Sequence, residues 1–209
     1  MSFAVKEMFL TLQGEGINAG RRAVFLRFAG CNLWSGREED RATAQCTFCD
    51  TDFVGMDGEE GGRYDLAPLV AKAVALWGDD ARGRLIVMTG GEPMLQVTDD
   101  LVDALHAAGF EVAMESNGTL PAAPGIDWVT ISPKAGTEVV QRSGAELKLV
   151  WPQPGVDPEA FRDWAFDHFL IQPMDGAHRE AWRAEALRYV MEHPGWRLSV
   201  QTHKMIGIP

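Results

Sequence analysis

A polar or glycine-rich cluster directly follows six of the short apolar runs in this chain. The runs are rich in β-branched residues, a pattern typical of buried strands that pair in parallel, and lie at residues 23–28, 84–89, 110–114, 128–131, 146–150, 168–172 and 197–201. The clusters lie at residues 30–31, 90–92, 115–117, 132–134, 172–175 and 201–204. In a βα barrel the carboxyl ends of the strands share one face, where active sites are built. The sequence therefore predicts one functional face, although any single cluster could be a simple turn.

Helical patterns lie between some of these runs. Asp65 is placed to cap a helix that reaches Trp77, Thr98 to cap one that reaches Leu105, and a third pattern covers residues 179–193. The connection at residues 117–127 is too short for a full helix and contains two prolines. We therefore expect an α/β fold, an incomplete and trimmed (β/α) barrel of the TIM type.

Length and charge narrow the class of protein. The 209 residues are 46% hydrophobic and contain no repeat or linker, which predicts a single domain over residues 1–209 with an exposed acidic loop at residues 55–62. The formal charge of −11 would repel a phosphate backbone, so we expect no nucleic-acid partner. No apolar run approaches the roughly 20 residues that a membrane span needs. Because the N-terminus also lacks a signal-peptide pattern, we expect a cytoplasmic protein with no membrane partner.

All three cysteines lie close together in the sequence. Cys31 follows the first predicted barrel strand, fourteen residues separate it from Cys46, and two more separate Cys46 from Cys49. A disulfide would leave one thiol over. Three thiolates can instead hold three irons of a 4Fe-4S cluster and leave the fourth iron without a protein ligand. That iron could chelate the amino and carboxylate groups of S-adenosylmethionine, which places its sulfonium beside the cluster for reductive cleavage to a carbon radical.

Two other uses of these cysteines remain open on spacing alone. A structural zinc site would need a fourth ligand, for which Asp40 or Asp50 could serve because no histidine lies between the cysteines. A thioredoxin-like use of residues 46–49 is the second. The glycines of residues 90–93 favour the cluster, since they let backbone groups approach the methionine part of the cofactor, but a plain tight turn would also explain them.

Eight ordered segments carry a family resemblance over essentially the whole chain. They are residues 11–16, 27–34, 46–53, 89–93, 115–118, 132–134, 172–175 and 201–204. In these segments the chain resembles the radical S-adenosylmethionine superfamily and, within it, the 7-carboxy-7-deazaguanine synthase family of queuosine and deazapurine biosynthesis. Most superfamily members have three residues between the first two cysteines, and the longer insertion at residues 32–45 is a feature of some synthases.

The resemblance implies a radical ring contraction. In this family 6-carboxy-5,6,7,8-tetrahydropterin rearranges to 7-carboxy-7-deazaguanine with loss of ammonia. The adenosyl radical would abstract hydrogen from C6 of the pterin and return it, so that S-adenosylmethionine is regenerated. The resemblance also implies an electron donor such as flavodoxin or ferredoxin, and a homodimer.

The resemblance also implies site residues. The catalytic cluster ligands would be Cys31, Cys46 and Cys49, and one hydroxyl, that of Thr51, would bind Mg²⁺, which keeps much of its hydration. The expected cofactor-binding residues are Phe48, Asp50, Gly91, Glu115, Ser132, Pro133, Lys134, Gln172, Pro173, Met174 and Asp175. The expected substrate-binding residues are Leu12, Gln13, Gly14, Glu15, Arg27, Thr89, His203 and Pro209.

Several of these residues have simpler explanations. Thr51 alone reads as a turn residue, His203 could be a core histidine, and the chain end at Pro209 could fray. Arg27 has an independent argument, because an anionic substrate in an acidic protein needs a bidentate positive partner. Two rival functions stay open: another radical enzyme, such as one that installs a glycyl radical on a partner protein, and a non-catalytic zinc-stabilised interaction module.

Overall fold

The computed structural model describes residues 2–209. Its strands form one nine-stranded mixed sheet in the order β3-β1-β2-β4-β5-β6-β7-β8-β9. The strand bounds are β1 Ser2–Leu12, β2 Arg22–Phe28, β3 Gly62–Asp65, β4 Leu85–Gly90, β5 Glu111–Ser116, β6 Trp128–Ile131, β7 Ser143–Trp151, β8 Ala165–Pro173 and β9 Arg197–Leu198.

The seven predicted strands are present and all pair in parallel. The ladder runs from β2 through β4, β5, β6, β7 and β8 to β9. The sheet stays open, because β3 and β9 end it on opposite sides. The prediction of an incomplete α/β barrel is therefore confirmed. The last strand is shorter than predicted: its ladder ends at Leu198, although the Ser199 amide still donates to Ile171 O at 2.9 Å.

Two further strands were not predicted. β1 pairs antiparallel with both β2 and β3 and so extends the barrel sheet at one edge. β3 begins at Gly62, inside the segment expected to be an acidic loop. The rest of that loop is tied to β1, since the Met8 amide donates to Glu59 O at 2.8 Å.

The three predicted helices are confirmed and one short helix is added. Asp65 and Thr98 occupy the N-cap positions of the first two helices, but neither side chain makes a capping hydrogen bond. No helix forms within residues 117–127, as predicted. No helix in the described part of the chain is long and apolar enough to cross a membrane. The helices are α1 Leu66–Trp77, α2 Asp99–Ala107, α3 Arg179–Glu192 and α4 Thr202–Ile206, with 3-10 turns at Glu38–Thr43, Pro93–Leu95 and Pro158–Phe161.

Two hydrophobic clusters hold the sheet against its helices. The larger packs strands β1, β2, β4 and β5 against α1 and α2 through buried residues such as Phe28, Leu69 and Leu101. The smaller packs β6, β7 and β8 with α3 and is rich in aromatic residues, among them Phe166 and Trp196. Burial of each such side chain contributes about 1.5–3 kcal/mol. These clusters fix the strands whose carboxyl ends surround the cavity described next.

Candidate active site

The carboxyl ends of the parallel strands surround a cavity of about 430 Å³. Every site residue named from the sequence lines this cavity except Pro133. Pro133 lies to one side, where its carbonyl accepts a hydrogen bond from Gln153 Nε2 at 3.3 Å. The predicted residues that the cavity brings together are Leu12, Gln13, Gly14, Glu15, Arg27, Cys31, Cys46, Phe48, Cys49, Asp50, Thr51, Thr89, Gly91, Glu115, Ser132, Lys134, Gln172, Pro173, Met174, Asp175, His203 and Pro209.

The three cysteines lie on one side of this cavity. Cys31 follows β2, and its thiol has a raised pKa because it is buried. Cys46 and Cys49 lie near one another, and the proximity of the two thiols lowers the pKa of Cys49 to about 6 and raises that of Cys46. Thiolate is the form of cysteine that binds metals. The two thiols are therefore close enough together to serve one bound group.

The inserted segment at residues 32–45 braces the cysteine loop. The amides of Gln45 and Cys46 donate to Leu33 O at 3.1 and 3.4 Å. Arg41 Nη1 donates to two main-chain carbonyls of the loop, Thr47 O and Cys49 O, each at 3.0 Å. The same guanidinium lies 4.1 Å from the centroid of the Trp34 ring, a favourable cation–π distance. The long spacing after Cys31 thus supplies the support of the loop that carries the other two cysteines.

The donor set fits an iron-sulfur cluster with one open position. The chain has three cysteines, and all of them line the cavity. Within residues 2–209 no three His, Cys, Asp or Glu side chains converge on a point as ligands of a single metal ion would. A single zinc ion needs its sulfur ligands at about 2.3 Å, whereas a cluster carries each thiolate on a different iron. The three thiols would bind such a cluster at its protein-facing irons.

The glycines after β4 permit a close approach to Cys31. A Cβ added at Gly91 would lie 2.2 Å from Gly30 O and 2.7 Å from Cys31 Cβ. Gly90 has a φ of +146°, and a Cβ there would lie 2.4 Å from Phe28 O. Only glycine fits both positions without a backbone shift, so a bare peptide faces the cavity beside the cysteine.

Glu92 stabilises this glycine turn through hydrogen bonds. Its carboxylate is fully buried and accepts from Met94 N at 3.0 Å, Ser116 Oγ at 2.8 Å and Asn117 N at 2.9 Å. Burial raises the pKa of Glu92, and these three hydrogen bonds oppose that shift. The Glu92 amide also donates to Gly30 O at 3.0 Å. Glu92 therefore ties the ends of β2, β4 and β5 together and has a structural role.

A half-buried lysine follows the carboxyl end of β6. Lys134 Nζ donates to both the carbonyl and the hydroxyl of Ser132 at 2.7 Å and lies 5.9 Å from the centroid of the Phe48 ring. Burial lowers the pKa of Lys134. The ring of Phe48 and the Ser132–Lys134 pair thus face one another across the cysteine side of the cavity.

The residues assigned to substrate line the same cavity. Arg27 Nε donates to Glu7 Oε1 at 2.8 Å, and Glu7 lines the cavity beside it. Gly14 lies against His203, because a Cβ there would lie 2.0 Å from the imidazole Nδ1. Thr11 Oγ1 donates to the Pro209 oxygen at 3.0 Å. Pro209 therefore lies beside the carboxyl end of β1.

Three lysines of the cavity, Lys6, Lys148 and Lys204, were not predicted as site residues. Lys204 Nζ lies 2.7 Å from Asp50 Oδ2 and 2.9 Å from Asp175 Oδ2, so it joins the cysteine loop to the segment after β8. Lys148 is buried on β7, between Glu15 and Glu115. The sequence did hold a signal for Lys148: charged residues alternate within the otherwise apolar run of residues 146–150, which puts two of them on one face of a buried strand.

The fold and this three-cysteine cavity define a radical S-adenosylmethionine enzyme. A family model described as "Radical SAM superfamily" matches residues 40–148, and the chain belongs to that superfamily.

Relatives with assigned names narrow this further. The chain is 59% identical to a 7-carboxy-7-deazaguanine synthase of Bordetella pertussis, with 100% of both chains covered. It is also 59% identical to the synthase of Bradyrhizobium diazoefficiens, again with 100% of both covered. The crystal structure of QueE from Escherichia coli superposes with a TM-score of 0.75 at 26% identity and covers 97% of this chain and 95% of that one. The chain therefore belongs to the 7-carboxy-7-deazaguanine synthase family.

Proposed function

We propose that this enzyme converts 6-carboxy-5,6,7,8-tetrahydropterin to 7-carboxy-7-deazaguanine with loss of ammonia. The observation that carries the proposal is the composition of one cavity. The same cavity is lined by three thiols, by an arginine and by a set of hydrogen-bond acceptors suited to a carboxylated pterin. The match to synthases over the full length of the chain supports the same substrate.

The cysteine side would hold the cofactors. Cys31, Cys46 and Cys49 would bind a 4Fe-4S cluster, and the bare peptide at Gly91 would meet the methionine part of S-adenosylmethionine. When bound, these cofactors supply the radical that removes hydrogen from C6 of the pterin. The remaining cofactor contacts would come from residues of the cysteine loop and of the strand ends, namely Phe48, Asp50, Glu115, Ser132, Lys134, Gln172, Pro173, Met174 and Asp175.

The remaining residues of the cavity would bind and orient the pterin. Arg27 offers positive charge to the substrate carboxylate, an anion that needs local compensation in a protein of net charge −11. Gln13 and Glu15 present acceptors to the N–H groups of the aminopyrimidinone edge. Leu12, Gly14, Thr89, His203 and Pro209 complete this set. Together they would hold C6 towards the cysteine side.

Magnesium is part of the proposal. Thr51 lines the cavity two residues after Cys49, and its hydroxyl, together with substrate oxygens and water, suits an ion that keeps most of its hydration. Removal of Mg²⁺ should therefore weaken pterin binding while leaving the iron and sulfide content unchanged. Family membership further supports a cytoplasmic homodimer that takes its electron from reduced flavodoxin or ferredoxin.

Anaerobic turnover tests the proposal directly. The reconstituted protein is incubated with dithionite, S-adenosylmethionine, Mg²⁺ and carboxytetrahydropterin, and the products are identified by mass spectrometry. We expect 7-carboxy-7-deazaguanine. Formation of 5′-deoxyadenosine without the deazaguanine would contradict the substrate and favour another radical reaction, such as activation of a glycyl-radical partner. Zinc without sulfide in anaerobically purified protein would favour a non-catalytic interaction module.

A further inference from the structure

A buried lysine lies at the base of the cavity and has no role in the reaction proposed above. Lys148 is 4% exposed and projects from β7. Its ammonium donates to Glu15 Oε2 and lies 3.3 Å from Glu115 Oε1. A buried charge is costly unless it is paired and hydrogen-bonded, so both contacts are needed to keep this side chain charged inside the barrel.

The two carboxylates that Lys148 contacts face different parts of the cavity. Glu15 follows β1, on the side assigned to the pterin, and its Oε1 accepts from Gln201 Nε2 at 2.8 Å. Glu115 lies at the end of β5, on the side assigned to S-adenosylmethionine, and its Oε1 accepts from Gln13 Nε2 at 3.0 Å. Lys148 therefore links the two carboxylates through its charge, and Gln13 links the same two residues as a neutral group, because its Oε1 also accepts from the Glu15 amide at 3.0 Å.

The charges around Lys148 favour this arrangement. Burial alone would lower the pKa of Lys148, but the carboxylates of Glu115 and Glu15 outweigh burial and raise it. Burial alone would raise the pKa of Glu15, but the nearby ammonium lowers it to about 2. The other charged groups that face Lys148 are Glu146 on the same strand, which attracts it, and Lys134 after β6, which repels it.

Removal of the ammonium would leave the carboxylates of the cavity without compensation. Glu15, Glu115 and Glu146 would then repel one another in a poorly solvated space, a situation in which one carboxyl group takes up a proton near neutral pH. A protonated or rotated Glu15 would present the pterin with a donor where an acceptor is needed. The lysine therefore controls both the charge and the direction of its partners.

We propose that Lys148 is a positioning residue that fixes Glu15 and Glu115 and thereby couples pterin binding to S-adenosylmethionine binding. The identity of the two ligands rests on the proposed function. A ligand on Glu115 orders the ammonium, and the ordered ammonium orders Glu15 for the other ligand. Because coupling between two sites is reciprocal, each ligand should tighten the binding of the other by the same factor.

Binding measurements on the reconstituted holoprotein test the coupling. Dissociation constants of S-adenosylmethionine and of carboxytetrahydropterin are measured for each ligand alone and with the other present. In K148M we expect pterin affinity to fall about tenfold to a hundredfold, because hydrogen bonds to charged groups are lost, and the mutual effect to vanish. K148R keeps the charge and should recover part of both. Unchanged affinities and unchanged coupling in K148M would overturn the proposal.

The matched control is a half-buried cation whose acidic partner lies outside the cavity. Arg21 Nη1 and Nη2 donate to Glu111 Oε1 and Oε2 at 2.8 and 2.6 Å, and neither residue lines the cavity. R21M should keep the mutual effect of the two ligands. Loss of the coupling in R21M as well would show that loss of any such ion pair is enough, and would refute a special role for Lys148.

A carboxyl titration tests the assignment without any ligand. In protein labelled with ¹³C at the glutamate carboxyls, K148M should show a new group that titrates near neutral pH and is absent from the wild type. The double variant E15Q/K148M should lose that titration and should still lack the coupling between the two ligands. It should also fold, even if K148M alone does not, because it no longer buries the Glu15 charge without a partner. No new titration in K148M, or retained coupling in the double variant, would overturn the assignment. Failure of the wild type to bind the pterin would instead contradict the proposed function, and the titration would still decide on Lys148.

Discussion

The two sides of the cavity are built in different ways. The cysteine side is a long loop, held by hydrogen bonds to Leu33 O and by the guanidinium of Arg41. The rest of the cavity is built largely on strand ends, where Glu92 and Lys148 are buried and hydrogen-bonded to several partners. A loop can change length without disturbing the sheet, and the fourteen-residue spacing after Cys31 is accommodated in this way. Substitutions on the loop should therefore affect activity, whereas substitutions at the base should affect stability as well.

The largest effect is expected from the loop and would separate activity from stability. C49A removes one of the three thiols, so we expect cluster assembly and turnover to be lost while the midpoint of thermal unfolding of the apoprotein changes little. Iron and sulfide analysis with calorimetry measures both. T47A, which changes an exposed side chain of the same loop, should keep its cluster. A full iron and sulfide complement in C49A would refute the assignment of Cys49 as a ligand.

The next largest effect falls where loop and sheet meet. In G91A the new methyl group would overlap Gly30 O, so the main chain beside Cys31 must move. We expect S-adenosylmethionine affinity to fall about tenfold or more, since small misplacements at such sites are costly, and stability to fall by about 1–3 kcal/mol. G195A is the control, because its nearest neighbour would be 3.6 Å away, at Arg162 Nη2. Equal cofactor affinity in G91A and wild type would show that the close approach is not required.

Glu92 tests the base of the cavity. E92A leaves two buried amides and one hydroxyl without their acceptor, which should cost about 2–4 kcal/mol in the free energy of unfolding. Denaturant unfolding of the apoprotein measures it, with the exposed E39A as control. A loss of unfolding free energy below about 0.5 kcal/mol would contradict the expected difference between the strand ends and the cysteine loop. Glu92 would then tolerate substitution as well as the loop does.

Arg41 tests the brace of the loop. R41A removes two hydrogen bonds to main-chain carbonyls and the contact with Trp34. We expect activity to fall about threefold to tenfold, with a change in unfolding free energy below about 1.5 kcal/mol. R37A provides the comparison, since Arg37 is an exposed arginine of the same insertion. A larger loss of stability than in E92A would reverse the order of the two regions.

The smallest effect is expected at the half-exposed ion pairs that close the cavity mouth. K204M breaks the contacts with Asp50 and Asp175, and such pairs contribute at most about 1 kcal/mol. The KM for S-adenosylmethionine should rise about twofold to fivefold. The control K72M breaks a surface pair with Glu60 away from the cavity and should leave the KM unchanged. An unchanged KM in K204M would show that the contacts of Lys204 with Asp50 and Asp175 have no role.

The sequence predicted the parallel strands and the cysteine side because both leave local patterns. β1 escaped prediction because Lys6 and Glu7 interrupt its apolar pattern and its partner in β3 lies about sixty residues away. The role predicted for Pro133 stays a prediction, although its neighbours Ser132 and Lys134 line the cavity and Pro133 does not. The alternation of residues 146–150 marks Lys148 as unusual, but its role was missed because its partners lie 133 and 33 residues away in the sequence.

The hydrogen bonds from Arg41 to the cysteine loop have a consequence for insertion of the iron-sulfur cluster. Because the Arg41 guanidinium holds the carbonyls of Thr47 and Cys49, the loop should keep the same conformation with and without the cluster. Little conformational entropy is then left to lose when the cluster is inserted. Transfer of the cluster from an assembly scaffold would then require little rearrangement of the cysteine loop. The rate of transfer would depend on the encounter between the two proteins and not on folding of the loop.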